Sequence, residues 1–315
     1  MTSGSLPPDR VVEGWLSLRD VLADGQRRLM AAGVPSPEVD AALLAAHVMG
    51  VPRGRLLLHD RMPADLRMAY ERLLTRRMAR VPLQHLLGSA PFRTIELSVG
   101  PGVFVPRPET ELLAGAAIDA LKALPPEERI AVDLCAGSGA VALAVAIETG
   151  SCRVTAVELD PAAVRWTRAN VERHADALAK ARSEVQVAEA DATRCAGPAG
   201  SLAGMAGEAA VVTMNPPYVP QGAVVRDPEV REHDPPRALY GGPDGLVVTR
   251  GAIDTAATLL RAGGLVLIEH SDEQGESAGE SGVPGILRAD SRWRDVADHL
   301  DLARKPRFTT ATRSA

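Results

Sequence analysis

The chain has 315 residues, of which 46% are hydrophobic and only 3% are aromatic, and its formal net charge is −5. This length predicts one large or two ordinary domains, with a core built mostly from Ala, Val and Leu. The acidic balance argues against a strongly electrostatic nucleic-acid binder, which would carry a basic face, although it allows a local basic patch.

The cysteines and the apolar segments bound the cellular setting. Cys135, Cys152 and Cys195 match no zinc-binding spacing, and an odd number does not suit a disulfide framework. Residues 1–15 contain no apolar segment typical of a signal peptide, and the longest apolar stretch, residues 140–147, is too short to span a bilayer. We therefore expect a cytoplasmic protein with no bound metal and no membrane partner.

The first quarter of the chain predicts a small helical bundle, which we assign to residues 1–85. Apolar residues between Leu18 and Met30 have helical spacing, and a further helix follows Pro63. The segment Ser36–Glu38 is typical of a helix start, with the serine hydroxyl as the cap. Arginines concentrate in this region, and two interpretations stay open: solvated helix faces, or a docking surface for a partner bound to RNA.

A hairpin linker is predicted for residues 86–108. Residues 92–99 alternate apolar and polar side chains as a strand does, and residues 100–102 (Gly-Pro-Gly) predict a turn before a second apolar segment, residues 103–105. A helix should then begin within residues 106–111 and run to about Leu124.

From Ile130 onward, predicted strands alternate with predicted helices. This pattern is typical of an α/β fold with a parallel sheet covered by helices on both faces, and we assign residues 109–315 to it. Loops are predicted for residues 193–208 and 271–292. The predicted strands are residues 130–134, 153–158, 185–190, 210–214 and 265–269, and the helices between them are residues 140–149, 161–179 and 247–261.

Polar residues end the first three predicted strands of this region. The first strand leads into a glycine-rich turn (residues 133–139), after which a helix begins. Glycines there let the backbone approach a ligand closely, and the start of the helix favours negatively charged groups. Glu158 can accept both ribose hydroxyls of a nucleotide cofactor, and Asp191 can accept an adenine amino group. The turn alone suits NAD as well as S-adenosylmethionine, because Ala142 satisfies the dinucleotide pattern. Asp133 can instead serve as a cap, and Asp160 is predicted to cap the next helix.

The fourth predicted strand ends in Asn215–Tyr218, the Asn-Pro-Pro-Tyr loop. The Asn215 side-chain carbonyl and the Pro216 carbonyl are acceptors, and a primary amide nitrogen has two hydrogens to give them. The prolines stiffen the loop, and Tyr218 offers a flat face to a planar group. Together with the glycine-rich turn, the loop predicts a methyltransferase acting on a planar nitrogen, since an NAD oxidoreductase has no use for it. His270, after the fifth strand, is interpreted as structural.

The combination resembles the HemK/PrmC family, the peptide chain release factor N5-glutamine methyltransferases. The resemblance covers about residues 15–310. It implies a Rossmann-like class I SAM-dependent methyltransferase domain with an antiparallel last strand, a small N-terminal helical bundle that docks the substrate, and a β-hairpin linker. The segments that carry it are Pro82–Gly88, Phe104–Glu111, Asp133–Gly139, Asn215–Tyr218 and Asp234–Leu246.

The activity and the site residues follow from this resemblance. It implies methyl transfer from S-adenosyl-L-methionine to the side-chain amide of the glutamine in the Gly-Gly-Gln motif of class I release factors. The residues implied to act in catalysis are Asn215, Pro216, Pro217 and Tyr218. Those implied to contact the cofactor are Phe104, Arg107, Asp133, Cys135, Ala136, Gly137, Ser138, Gly139, Glu158, Asp191, Ala192 and Asn215. Cys135 stands where many relatives have glycine, and Ala192 replaces a larger residue of some relatives.

Two other substrates stay open at this point: a glutamine of a ribosomal protein, and an amino group of a nucleic-acid base reached by base flipping. Methylation of a nucleic-acid base would require a basic groove and a target-recognition insert, and neither is evident in the sequence. We expect a monomer that binds class I release factors, with no direct sequence-specific contact to nucleic acid.

Overall fold

The computed structural model describes residues 15–315, so the expected absence of a signal peptide and the first 14 residues of the predicted bundle concern residues outside this range. The chain forms two compact units. In chain order, the strands and helices are β1 (Trp15–Ser17), α1 (Leu18–Ala31), α2 (Pro37–Met49), α3 (Arg53–Leu56), β2 (Arg61–Pro63), α4 (Arg67–Met78), α5 (Leu83–Leu87), β3 (Ser89–Phe92), β4 (Ile95–Ser98), α6 (Thr110–Lys122), β5 (Ile130–Leu134), α7 (Ala140–Thr149), β6 (Arg153–Glu158), α8 (Pro161–Arg173), α9 (Ala175–Ala181), β7 (Glu184–Glu189), β8 (Ala209–Met214), α10 (Pro228–His233), α11 (Pro236–Leu239), α12 (Val247–Leu259), β9 (Leu260–Glu269), α13 (Val283–Arg288), β10 (Trp293–Leu300) and β11 (Pro306–Arg313).

The first unit is a helical bundle made of residues up to Gly88 together with α10. Its core contains fully buried apolar side chains from α1, α2 and α4, among them Leu29, Leu44 and Leu74. The predicted helices are confirmed. The prediction that the Ser36 hydroxyl caps α2 is wrong, because the Ser36 side chain makes no capping hydrogen bond and the helix starts directly on a proline, whose φ is already helical.

A buried ionic network ties α10 to this bundle. The Arg77 guanidinium donates to Asp40 Oδ2 at 2.7 Å and pairs with Glu229 Oε1 at 2.8 Å. Arg80 forms a bidentate ion pair with the same Glu229 carboxylate, with its Nε at 2.7 Å from Oε1. Glu229 of α10 thus places a second carboxylate beside the buried Arg77, and removing one partner of a buried ion pair is destabilising.

The second unit is built on a seven-stranded sheet with the order β10-β11-β9-β8-β5-β6-β7. Strands β9, β8, β5, β6 and β7 are parallel neighbours, and β11 lies antiparallel between β9 and β10. Neighbouring residues in a strand point to opposite faces. Val211 accordingly packs in one apolar cluster with α6 and α7, while Val212 packs in another with α12. The α/β prediction, with helices on both faces and an antiparallel last strand, is confirmed.

Several local predictions in this unit were wrong. The hairpin pairs β3 with β4 and turns at residues 93–94, where Arg93 adopts a left-handed conformation and its N–H is held by Glu111 Oε1 at 3.0 Å. The predicted turn at residues 100–102 is present, with the Val103 N–H donating to the Gly100 carbonyl at 3.4 Å, but it follows the hairpin. The predicted helix 161–179 is divided at His174. The predicted loop 271–292 contains α13, and no residues had been assigned to β10 or to the implied antiparallel last strand, which is β11. None of the helices within residues 15–315 combines the length and hydrophobicity that crossing a membrane requires.

Candidate active site

The strand order places the polar strand ends side by side. In a parallel sheet the carboxyl ends of neighbouring strands share one edge, and ligands bind outside that edge. Leu134 is in register with Met214 of β8, and Met214 is in register with Ile268 of β9. The residues that follow these positions, Cys135, Asn215 and Glu269, therefore start the site next to one another.

The glycine-rich turn is held by side chains of α8. The Thr167 hydroxyl donates to the Gly137 carbonyl at 2.7 Å, and the Asn170 amide donates to the Ser138 carbonyl at 3.0 Å. A Cβ added at Gly137 would meet no atom within 4 Å, so this side of the turn faces open space. Cys135 has a φ of 63°, a left-handed conformation that costs free energy for a residue with a side chain.

Asp133 lies beneath the turn. It is 3% exposed, its Oδ1 accepts from the Thr213 hydroxyl at 2.8 Å, and its Oδ2 accepts from the Ala142 backbone N–H at 3.2 Å. Burial raises the pKa of Asp133 to about 7. These contacts match the capping interpretation and give Asp133 a structural role, while its predicted contact with a cofactor stays a prediction.

Glu158 is anchored beside the open side of the turn. Its Oε2 accepts from the Gly137 N–H at 2.8 Å, and its Oε1 accepts from the backbone N–H groups of Leu159 and Asp160, both at 2.8 Å. Burial raises the pKa of Glu158 although these three donors favour the charged form. The predicted cap is confirmed, because Asp160 Oδ1 accepts from the Ala162 N–H at 2.8 Å.

Asp191 follows the third strand as predicted. Its Oδ1 accepts from the N–H and the hydroxyl of Thr193, at 2.9 and 2.7 Å, and Arg194 pairs with Oδ2 at 3.1 Å. Ala192 is 6% exposed and belongs to the core on the α12 side of the sheet. The Asp191 carboxylate therefore has a fixed position at the same edge as Glu158.

The Asn-Pro-Pro-Tyr loop is supported by chain segments that follow it at a distance. The Gln274 amide donates to the Tyr218 carbonyl at 3.0 Å, and the Val219 N–H donates to the Leu239 carbonyl at 2.8 Å. A Cβ at Gly245 would lie only 2.3 Å from the Tyr218 carbonyl oxygen. Burial raises the pKa of Tyr218 to about 12, so its hydroxyl is neutral at pH 7.

Two residues that the sequence analysis missed contact Asn215. Its Nδ2 donates to the Thr110 hydroxyl, the first residue of α6, at 3.2 Å. Glu269, 2% exposed, lies next to both side chains; burial raises its pKa to about 7, although hydrogen bonding by Thr110 and Asn215 lowers it. The rule applied to the other strand ends would have found Glu269, since it ends the fifth strand. His270 beside it is fully buried and bonded to Thr309, as a structural histidine would be.

Phe104 and Arg107 form one cluster with Asp234. The Arg107 guanidinium lies 4.7 Å from the centre of the Phe104 ring, and its Nη2 donates to Asp234 Oδ2 at 2.8 Å. Burial raises the pKa of Asp234 to about 6, against the lowering effect of Arg107. Arg107 also acts electrostatically on Tyr218, so this cluster adjoins the Asn-Pro-Pro-Tyr loop. Over residues 15–315, no group of three or more His, Cys, Asp or Glu side chains is arranged to hold a metal ion.

Comparison with protein families matches residues 20–88 to a model described as PrmC N-terminal domain, and residues 88–232 to one described as conserved hypothetical protein 95. The chain is 46% identical to the release factor glutamine methyltransferase of Streptomyces coelicolor, over 93% of this chain and 97% of that protein. It is 43% identical to the enzyme of the same name from Mycolicibacterium smegmatis, over 95% and 98%.

More distant similarity extends beyond these two proteins. The release factor glutamine methyltransferase of Deinococcus radiodurans is 38% identical over 81% of this chain and 86% of that protein. Among solved structures, the 16S rRNA N2 G1207 methyltransferase of T. thermophilus in complex with AdoMet and guanosine aligns with a TM-score of 0.44 at 22% identity, over 71% of this chain and 49% of that one.

Proposed function

The chain belongs to the release factor glutamine methyltransferase family, and from this premise we propose that it methylates the glutamine of the Gly-Gly-Gln motif in class I peptide chain release factors. The methyl group comes from S-adenosyl-L-methionine and the acceptor is the side-chain amide nitrogen. The observation that carries this proposal is the position of Asn215, whose amide is held at the same sheet edge as the glycine-rich turn.

The residues at the turn fit the cofactor. Gly137 faces open space, the Glu158 carboxylate is anchored beside it, and Asp191 is fixed at the next strand end. We assign the ribose hydroxyls to Glu158, the adenine amino group to Asp191 and the methionine end to Phe104 and Arg107. When bound, S-adenosylmethionine supplies a methyl group made electrophilic by the adjacent sulfonium.

The Asn-Pro-Pro-Tyr loop orients the substrate nitrogen. An amide nitrogen is a poor nucleophile because its lone pair is delocalised into the carbonyl. The Asn215 Oδ1 and the Pro216 carbonyl accept its two hydrogens, which aims the lone pair, while Tyr218 packs against the amide plane. Such orientation lowers a barrier by up to roughly 7–11 kcal/mol. The same two acceptors stabilise the positive charge that develops on nitrogen. The nitrogen forms its bond to carbon as the carbon–sulfur bond breaks, and one N–H proton then passes to water.

The domains have separate tasks in this proposal. Residues 1–85 dock the release factor, residues 86–108 link, and residues 109–315 carry the methyl transfer. The enzyme acts as a cytoplasmic monomer and contacts protein, without sequence-specific contact to nucleic acid.

The test is transfer of labelled methyl groups to a bacterial release factor, beside a release factor whose Gly-Gly-Gln glutamine is replaced by alanine. Label on the first alone is the expected result. Label on both would place the reaction at another residue. Label on neither, with S-adenosylmethionine still raising the melting temperature, would overturn the release factor as substrate and direct the search to ribosomal proteins and nucleic acid.

A further inference from the structure

The side chain of Asn215 can face the substrate in two ways. Its carbonyl oxygen accepts hydrogen bonds and its NH2 donates them, and rotation by a half-turn exchanges the two. Only the carbonyl end can accept a hydrogen from the amide nitrogen of a glutamine. The proposed function therefore requires that something in the protein fixes this rotation.

The contacts behind Asn215 supply that constraint. Nδ2 donates to the Thr110 hydroxyl oxygen at 3.2 Å, which turns the carbonyl end the opposite way. The Thr110 hydroxyl has one hydrogen, and the Glu269 carboxyl lies next to it. An ionised carboxylate accepts hydrogen bonds and cannot donate them. Thr110 therefore gives its hydrogen to Glu269 and has only lone pairs left for Asn215, which also donates directly to the Glu269 carboxyl. Both contacts select the NH2 end.

The fold holds these three groups in place. Thr110 begins α6 and is 5% exposed, while Glu269 ends β9 and is 2% exposed. The register of β8 against β9 sets Asn215 beside Glu269, because Met214 is paired with Ile268. Glu269 Oε2 has no hydrogen-bond partner among the described residues, so this buried carboxyl is retained at a cost in stability.

We propose that Thr110 and Glu269 are positioning residues that fix the Asn215 amide with its Oδ1 toward the substrate glutamine. This inference rests on the proposed function. Neither residue touches the reacting atoms. They act through the hydrogen bonds of the Asn215 NH2 group, which donates to Thr110 and directly to the Glu269 carboxyl, while Thr110 passes its own hydrogen on to Glu269.

Protonation of Glu269 reverses these hydrogen bonds. A protonated carboxyl can donate to Thr110, whose hydroxyl is then free to donate to Asn215 Oδ1. The Asn215 NH2 group, which cannot accept a hydrogen from the substrate nitrogen, would then face the substrate. Arg307 and Glu109 act on the Glu269 carboxyl in opposite directions, Arg307 favouring its charged form, and Tyr218 is also close. The rate of methyl transfer should therefore fall as the pH drops below about 7.

The test compares Thr110→Val with Thr110→Ser. Valine keeps the shape and removes the hydroxyl, so kcat should fall by about 10- to 100-fold, by analogy with the loss of an outer-shell partner that orients a metal-ligating side chain. The dissociation constant of S-adenosylmethionine should stay within about 2-fold, since the turn is untouched. Serine keeps the hydroxyl and should restore most of kcat. Glu269→Gln should lower kcat and abolish its decline below pH 7.

The matched control is Thr249→Val. Thr249 is 1% exposed against 5% for Thr110, and its hydroxyl has no hydrogen-bond partner among the described residues, so the same substitution there should leave kcat unchanged. A Thr110→Val enzyme with wild-type kcat, or a serine variant as slow as the valine variant, would overturn the inference while leaving the proposed function intact.

A second measurement does not depend on the substrate. The side-chain NH2 resonances of Asn215, identified by their absence in Asn215→Ala, should shift in Thr110→Val and not in Thr249→Val. Unchanged resonances would overturn the inference even if the wild-type enzyme failed to label a release factor, which is the outcome that would count against the proposed function.

Discussion

The two halves of the candidate site are held in different ways. The glycine-rich turn is held by residues close to it in sequence: Glu158 and the α8 side chains Thr167 and Asn170. The Asn-Pro-Pro-Tyr loop is held from much farther away, by Thr110 about a hundred residues earlier and by Gln274 over fifty residues later. The cofactor half is therefore a local βαβ structure, whereas the substrate half depends on the whole methyltransferase domain.

The largest effect should come from Asn215→Ala. It removes a substrate acceptor and leaves the turn intact, so kcat should fall by roughly 10²–10³-fold, the usual cost of deleting one preorganised hydrogen-bonding group in an active site. S-adenosylmethionine should still raise the melting temperature, because Glu158 and Asp191 keep their positions at the sheet edge. Steady-state kinetics and thermal denaturation measure both. A rate within a few-fold of wild type would refute the role of Asn215.

Gly245→Ala should damage the substrate half from a distance. Its Cβ would lie 2.3 Å from the Tyr218 carbonyl oxygen, so the loop must move and activity should fall, with a loss of about 1–3 kcal/mol in the free energy of unfolding. Gly263→Ala is the matched control, because Gly263 has nearly the same φ, 78° against 77°, and no atom within 4 Å of its Cβ. Equal effects of both variants would show that backbone conformation, and not the contact with Tyr218, causes the loss.

The pH dependence of stability should change in Glu269→Gln. The pKa of Glu269 is raised to about 7, so the folded protein binds this proton more tightly than the unfolded chain. Its contribution to stability is present below pH 4.5 and is lost as the pH rises through 7. Glutamine does not ionise, so the variant does not lose stability in this way as the pH rises. The difference in free energy of unfolding, variant minus wild type, should therefore become more positive between pH 5 and pH 8, by up to about 3 kcal/mol. Denaturant titrations at both pH values measure this difference. The same difference at pH 5 and at pH 8 would contradict the prediction.

The smallest effect is expected in the cofactor half. Cys135→Gly removes the cost of a left-handed φ of 63°, but glycine also loses more conformational freedom on folding, so the net gain should be at most about 1 kcal/mol. Affinity for S-adenosylmethionine, measured by calorimetry, should stay within a few-fold. A large loss of affinity would mean that the Cys135 side chain itself contacts the cofactor.

The same contrast explains what the sequence could predict. The strands β5 and β6, the helix α7 and the cap at Asp160 were placed correctly because each depends on neighbouring residues. Thr110 was missed because its role arises only when α6 meets the end of β8, whereas Glu269 ends a predicted strand and the rule applied to the other strand ends would have found it. Strands β10 and β11 could not be located from the residue pattern because neither shows a continuous apolar run, although the resemblance implied an antiparallel last strand.

One element of the bundle described above also sets an order of events during synthesis. Glu229, which pairs with Arg77, is translated roughly 140 residues after Gly88. At ~5–20 residues per second, the ribosome needs roughly 7–30 seconds to make that stretch. Asp40 is available to Arg77 from the start, whereas the second carboxylate arrives only after β5 to β8 have been made. The unit whose translation begins first is thus completed only after most of the second unit has been made, and a nascent chain released before α10 lacks the Glu229 carboxylate that pairs with Arg77.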